Sequence, residues 1–426
     1  MFSLPMADRI ADSPKPNIIY WTAYSPPEGN SQPSDPLRFD MYAQRLGNLM
    51  LPGITNRTER LRYLSMVCAG IATTAPVGVA SLREQRQALL PFERGWALAQ
   101  ALSVAGELKS RDDSQRSPSL KPEFRGLRGA NRVLAHYRTL GDSATVHPNR
   151  YVLLKSQDAQ GGLGAYLVTL RQFKFVQDGS LDLTALGSEL SAAFQPTRRG
   201  RRLSILAAST PAKRSALAAL GEDLCLGFPS ATERRLVGEA IFGDVRQPVA
   251  DCVSRMRAAR PGSEDPRDLL EAIARPDGDE LGRAAHFACE FDPLRIAVLQ
   301  VFARLGRGVM GQPGPVSLGA AGSPSLEAAA DSARKQAARL VACRTPAGLE
   351  PISELAGELV DGSSLADTVR STLGFHLREG RAWIVPGAGD RYSIGKHGPF
   401  EDPAHSFNGY TVGRAMQLFD DTAAVS

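Results

Sequence analysis

The chain is poor in cysteine, in lysine and in long apolar runs, and each shortage removes a class of protein. Five cysteines, Cys68, Cys225, Cys252, Cys289 and Cys343, are scattered through 426 residues. None forms a C-x-x-C pair, which argues against a zinc ribbon and a disulfide framework and fits a reduced cytoplasm. No stretch approaches the ~18 consecutive apolar residues of a membrane-spanning helix. The opening MFSLPMADRIADSPKP lacks the basic and apolar regions of a secretory signal. Lysine is confined to Lys15, Lys109, Lys121, Lys155, Lys174, Lys213, Lys335 and Lys396, so a PD-(D/E)xK nuclease finds no convincing placement. The nucleotide loop G-x-x-x-x-G-K-[ST], the elbow G-x-S-x-G and the zinc helix H-E-x-x-H are all absent. Gly306, Gly308, Gly311 and Gly314 have Gly-x-Gly spacing, but they follow a helical pattern and are interrupted by Pro313 and Pro315. A dinucleotide fingerprint needs a strand before and a helix after, so that reading fails. No cofactor and no resident metal is expected.

What is present describes a globular, mainly α-helical chain of two or three domains, 43% hydrophobic and 22% charged. The net charge of +5 permits a nucleic-acid partner without requiring one. Arginine carries that charge, and its planar fork makes bidentate contacts to phosphate and carboxylate.

Five segments follow from composition and periodicity. Residues 1–123 form a helical region with a Pro-rich lead-in. There, Leu37, Met41, Leu46 and Leu49 mark a helix stopped by Pro52-Gly53, Asn56 and Glu59 have capping-box spacing, and Leu61 to Ile71 mark a second helix. A third helix surrounds Trp96, and residues 110–123 read as a loop. Residues 124–208 contain the most organised local pattern. Residues 209–305 are helical throughout, and residues 306–325 read as a Gly/Pro-rich linker or loop. Residues 326–426 hold further helices and a hairpin, with Trp383-Ile384-Val385 and Tyr392-Ser393-Ile394 flanking a Gly387-Ala388-Gly389 turn.

In the central pattern, Leu163, Tyr166, Leu167 and Leu170 share one helix face. Phe173 and Phe175 then alternate around Lys174, Asp178-Gly179 is a tight-turn pair, and Leu181 and Leu183 continue the alternation. Thr184 is placed to cap a helix from Ala185 to Phe194. Helix, wing and return helix, with Leu-x-Leu-Thr-x-x-Gly at 181–187, resemble the second half of prokaryotic winged helix-turn-helix proteins. That resemblance implies a binding module for DNA or for protein. The fold class expected is therefore mainly α, with a central winged unit and a C-terminal helix-plus-hairpin unit that is itself a degenerate candidate for a second winged helix.

Candidate nucleic-acid-binding residues are Arg198, Arg199, Arg201 and Arg202, which follow the winged unit, together with Arg171 and Lys174 at the end of its first helix. Arg125, Arg128 and Arg132 lie just before it. Arg57 and Arg60 have the spacing of a phosphate or carboxylate clamp, and Arg62 stands beside them. Catalytic candidates are sparse. His397, Glu401, Asp402 and His405 could hold a divalent metal but sit in a Pro-containing loop. Cys289 lies one turn from His286 but reads as a small hydrophobe. His376 with Glu379 reads as a surface pair, and His136 and His286 as partly buried, hydrogen-bonded residues.

The opening DPLRFDMYAQRLGNLMLPGITNRTERLRYLSMV, the segment GGLGAYLVTLRQFKFV and the spacing His376-x3-Gly380-x2-Trp383 resemble uncharacterised helical bacterial proteins encoded in antiphage defence islands. The resemblance implies a non-catalytic subunit of a multi-component complex, with DNA and other subunits such as a helicase or ATPase as partners. The expected function is a cytoplasmic scaffold or adaptor that binds DNA or a nucleoprotein. A winged-helix transcriptional regulator and a metal-dependent hydrolase or nuclease are the alternatives. Trp21 and Tyr24, and the group Trp383, Tyr392, Phe400, Phe407 and Tyr410, are expected to anchor partner surfaces.

Overall fold

The computed structural model describes residues 35–58, 60–74, 81–103, 126–196, 202–244, 246–310, 312, 314–395, 400 and 410–423. Helix α1 (Phe39–Met50) buries Phe39, Tyr42, Ala43, Leu46 and Met50, one stripe at helical spacing. Leu49, expected on that stripe, is exposed. Helix α2 (Leu61–Thr74) is buried along its first ten residues, so its environment is core on all sides. Asn56 does not cap it. The Leu61 N–H donates instead to the Asp421 carboxylate at 3.1 Å, so the cap comes from far along the chain. Helix α3 (Leu82–Ser103) continues through Pro91 and carries Trp96 into the core. Tyr63 of α2 stacks on Tyr166 and meets Trp96 edge-on, both at 5.0 Å between ring centroids.

The central segment comprises α4 (Ala130–Thr139), β1 (Thr145–Val146), α5 (Gln157–Gln160), α6 (Gly162–Gln172), α7 (Ala185–Ala193) and α8 (Ser204–Ala207). Leu163, Tyr166, Leu167 and Leu170 all face inward from α6, and the Thr184 side chain caps α7 by accepting from the Gly187 N–H. The expected wing is smaller than its pattern suggests. One antiparallel bridge, Val176 to Leu183, closes the turn. Phe173 and Phe175 flank a helix cap rather than starting a strand. Lys174 takes a left-handed φ of 60°, its N–H donates to the Arg171 carbonyl, and the Phe175 N–H donates to the Leu170 carbonyl. Those paired bonds close the carbonyl end of α6, and Phe175 covers it from the core.

Strand β2 (Ala212–Lys213) pairs antiparallel with β1. Helices α9 (Arg214–Asp223), α10 (Ala231–Phe242), α11 (Pro248–Ala259), α12 (Pro266–Ile273) and α13 (Glu280–Val309) follow. A capping box of Ser230 and Glu233 starts α10, and proline occupies the first turn of α11 and α12, where no amide partner is lost.

The 306–325 stretch carries structure where a linker or loop was expected. Helix α13 runs through Gly306 to Val309; β3 (Val316–Ser317), α14 (Leu318–Ala321) and the start of α15 (Pro324–Val341) occupy the rest. Strand β3 is too short to show a period, which is why its pattern reads as loop. After α16 (Glu350–Asp361) and α17 (Leu365–Arg378), the expected hairpin forms from β4 (Ile384–Pro386) and β5 (Arg391–Ile394). The antiparallel sheet has the order β3-β5-β4, with Val316 opposite Tyr392 and Ile384 opposite Ile394. Helix α18 (Val412–Thr422) packs against α10, α11 and α12. One hydrophobic cluster runs through the described residues from Leu37 to Leu418. No described helix is long and apolar enough to cross a membrane.

Candidate nucleic-acid interface

Arg171 and Lys174 sit at the carboxyl end of α6, and both are engaged locally. Arg171 Nη2 donates to the Ser180 carbonyl at 3.0 Å and ties the turn to the helix, while burial and the nearby Arg86 lower its pKa. Lys174 is exposed and pairs with Asp178 at 2.9 Å. An exposed pair of this kind contributes little and yields readily to a phosphate. Arg202 is exposed at the entrance to α8. Arg198, Arg199 and Arg201 lie outside the described residues, as do Arg125 and the group His397, Glu401, Asp402 and His405.

The segment that Arg202 enters is pinned to a second basic region. Asn149 Nδ2 donates to the Ala207 and Ala208 carbonyls at 3.0 and 2.9 Å, and Arg150 reaches the Ser209 carbonyl. Residues 147–156 in turn pack on α4. The Tyr151 ring stacks on His136 at 4.5 Å, and Leu153 fills the space above Gly129. From 126 to 156 the sequence holds Arg128, Arg132, Arg138, Arg150 and Lys155 against a single acid, Asp142. All five cations are exposed or half-buried. Among the described residues none of the five is in an ion pair. Several arginines elsewhere are paired. Arg255 meets Asp251 and Asp279, Arg267 meets Glu271, Arg339 meets Glu290, and Arg378 meets Glu358, all within 2.9 Å. The local imbalance was readable as five bases to one acid, but Arg138, Arg150 and Lys155 escaped notice because no compact run marks them.

A cleft of about 440 Å³ opens on this region, lined by Arg57, Gly126, Leu127, Arg128, Gly129, Leu154 and Gln160. Two arginine sets that are far apart in sequence meet there. Arg128 Nη2 donates to the Arg57 carbonyl at 2.6 Å, and Arg57 Nη1 reaches the Ala159 carbonyl at 3.3 Å. The Arg128 N–H donates to the Tyr63 hydroxyl oxygen at 2.6 Å, which fixes its backbone to the aromatic core. Arg171 and Lys174 do not join this cleft through α6. They lie at the opposite end of that helix from Gly162, about 14 Å along its axis.

Several other candidates prove to be structural. Arg60 does not clamp a ligand with Arg57; it pairs with Asp421 at 3.2 Å. Arg62 is buried against Glu233 at 3.3 Å and donates to the Cys225, Phe228 and Asp223 carbonyls. His376 is not a surface partner of Glu379 but fully buried. Its Nδ1 lies 2.9 Å from the Pro36 carbonyl, and its Nε2 accepts the Trp383 N–H at 3.0 Å. Those contacts require the neutral ring with its proton on Nδ1. Gly380, at φ 70°, closes α17 with the same paired bonds seen at Lys174. The His-x3-Gly-x2-Trp spacing is therefore a helix cap followed by a turn into β4. Glu379 instead accepts from the Tyr42 hydroxyl at 2.5 Å.

Trp383, Tyr392, Phe400 and Tyr410 are buried in the chain's own core, against the expectation that they anchor a partner. Trp383, Phe400 and Phe302 pack ring on ring. Trp21, Tyr24 and Phe407 lie outside the described residues. Burial, with Glu271 and Glu290 nearby, pushes the Cys289 thiol up to about 12, so it is held as a thiol rather than as a nucleophilic thiolate. Among the described residues no cluster of His, Cys, Asp and Glu is placed to hold a metal.

Comparison with family models, with curated proteins and with solved structures gives no match.

Proposed function

We propose that the protein is a cytoplasmic, non-catalytic adaptor that binds DNA or a nucleoprotein, as a subunit of a multi-protein bacterial defence complex with a helicase or ATPase among its partners. One observation carries the DNA-binding part of this reading: between 126 and 156 five cations accompany a single acid, and among the described residues none of the five is in an ion pair. Unpaired cations gain from replacing the counterions of a phosphate backbone, whereas paired ones must first lose a partner. The central unit, with its single-bridge turn, serves in this reading as a winged-helix-like element that positions Arg171, Lys174 and the Arg198–Arg202 run.

Anisotropy of a labelled duplex, measured over a range of salt, tests the proposal. Replacing Arg132, Arg138, Arg150 and Lys155 together by Ala should weaken binding on every sequence and flatten the log–log salt slope by up to about 3.6, or 0.9 for each lost contact. An unchanged affinity and slope would remove the support. A regulator remains the second reading, favoured by the short turn between α16 and α17 followed by the β4–β5 hairpin. Its disadvantage is that Arg370 and Arg378 on α17 are already paired, with Asp367 and Glu358.

A further inference from the structure

We infer that the cleft between Arg57 and Arg128 is a seat for one phosphate-bearing nucleotide unit, an inference that rests on the nucleic-acid reading and gives it a specific contact. Among the described residues, the lining of the cleft supplies two guanidiniums and the Gln160 amide and no carboxylate. Leu127 and Leu154 contribute the apolar part of the wall, which suits a sugar or base face beside a charged group. At about 440 Å³ the space matches a mononucleotide rather than a bare ion.

Arg128 is held ready for such a ligand. Its backbone is anchored on Tyr63, and one terminal nitrogen is committed to the Arg57 carbonyl. A planar fork held at the cleft wall in this way loses little freedom on meeting a phosphate. Glu93, the nearby buried carboxylate, is occupied by the Gly162 N–H and the Gln157 side-chain amide and does not line the cleft. Helix α4 adds a modest bias in the same direction. It begins at Gly129, without a side-chain cap and without an acid in its first turn, so its positive end is left uncompensated.

The phosphate could arrive on a nucleic-acid strand or on a free nucleotide, and two probes separate these sources. A short labelled duplex is titrated by anisotropy and dTMP by calorimetry, with the full chain, Arg57→Gln, Arg128→Gln and the control Arg235→Gln. Arg235 is an exposed residue of α10 paired with Glu239. A loss of about tenfold or more in duplex affinity in both cleft variants, with the control unchanged, supports a seat for a strand phosphate. Binding of dTMP that is lost in the same variants supports a seat open to free nucleotides. If dTMP binds in this way and no duplex does, the cleft stands and the nucleic-acid reading falls. If the duplex binds wild type and both variants equally and dTMP binds none of them, the nucleic-acid reading stands and the cleft is overturned. Failure of both probes to bind wild type overturns both. Should Arg128→Gln fail to fold, Arg57→Gln carries the test, because Arg57 is exposed.

Discussion

Replacing His376 by Phe should destabilise the protein by about 2–4 kcal/mol at pH 7.5, and by progressively less as the pH falls. The phenyl ring keeps the packing against Phe302, whose centroid lies 4.6 Å from the imidazole, so the change isolates the two ring nitrogens. Losing Nε2 leaves the buried Trp383 N–H unsatisfied, which costs about 1–3 kcal/mol, and losing Nδ1–H removes a bond to the Pro36 carbonyl worth about 0.5–1.5 kcal/mol. Burial lowers the pKa of His376 below its ordinary 6.5. A depressed histidine contributes stability that is fully present above 6.5 and is lost as the pH falls toward the folded-state value, because the unfolded chain takes up the proton first. Asp35 acts in the opposite sense. Burial pushes its carboxyl up to about 6, so its contribution is present below 3.8 and lost as the pH rises through about 6. Wild type and variant both carry Asp35, so its effect cancels in the difference between them. Urea unfolding followed by tryptophan emission at a series of pH values measures that difference. A cost below about 0.5 kcal/mol at pH 7.5, far short of one orphaned donor, or a difference that grows toward acid, would refute the tautomer and its contacts.

Two further substitutions test the cap of α6 and the buried ion pair of α2. Lys174→Gly should stabilise the protein by about 1 kcal/mol, since glycine holds the left-handed position without the strain a side chain brings; a lower melting temperature would show that the 2.9 Å pair with Asp178 outweighs that strain. Arg62→Met should cost about 3–5 kcal/mol by leaving the Glu233 carboxylate buried without its partner, and near-wild-type denaturant stability would contradict the buried pair.

Helix boundaries were legible at some of the places where their signals are local. Ser230-x-x-Glu233, Pro248 and Ser364-x-x-Asp367 each set a helix start within a few positions of the residues that announce it. The start of α2 was not, because Asp421 supplies its cap from the far end of the described chain. Lys174 misled for a related reason: Phe-Lys-Phe has the same spacing whether it opens a strand or closes a helix, and only the φ of Lys174 separates the two. The burial of His376 depends on Pro36 and Trp383 arriving together, and that is invisible to a scan of its own helix. The candidate interface shows the same limit. A count of charges found Arg128 and Arg132, but only the tertiary arrangement distinguishes arginines that are paired from those that are not.

The anchoring of Pro36 and Tyr42 to His376 and Glu379 closes a loop of more than three hundred residues. During synthesis, α1 leaves the ribosome long before its partner exists. At roughly 5–20 residues per second, α17 follows about 17–70 s later. Until α13 emerges Phe39, which ends between Phe291 and Phe375, has neither ring to cover it, and until α17 emerges it lacks the second. The nascent chain thus holds an apolar helix face open to water, or to a chaperone, until α13 has been made, and completes its cover only with α17. Truncation from the carboxyl end would therefore expose the first helix as well as removing the last ones.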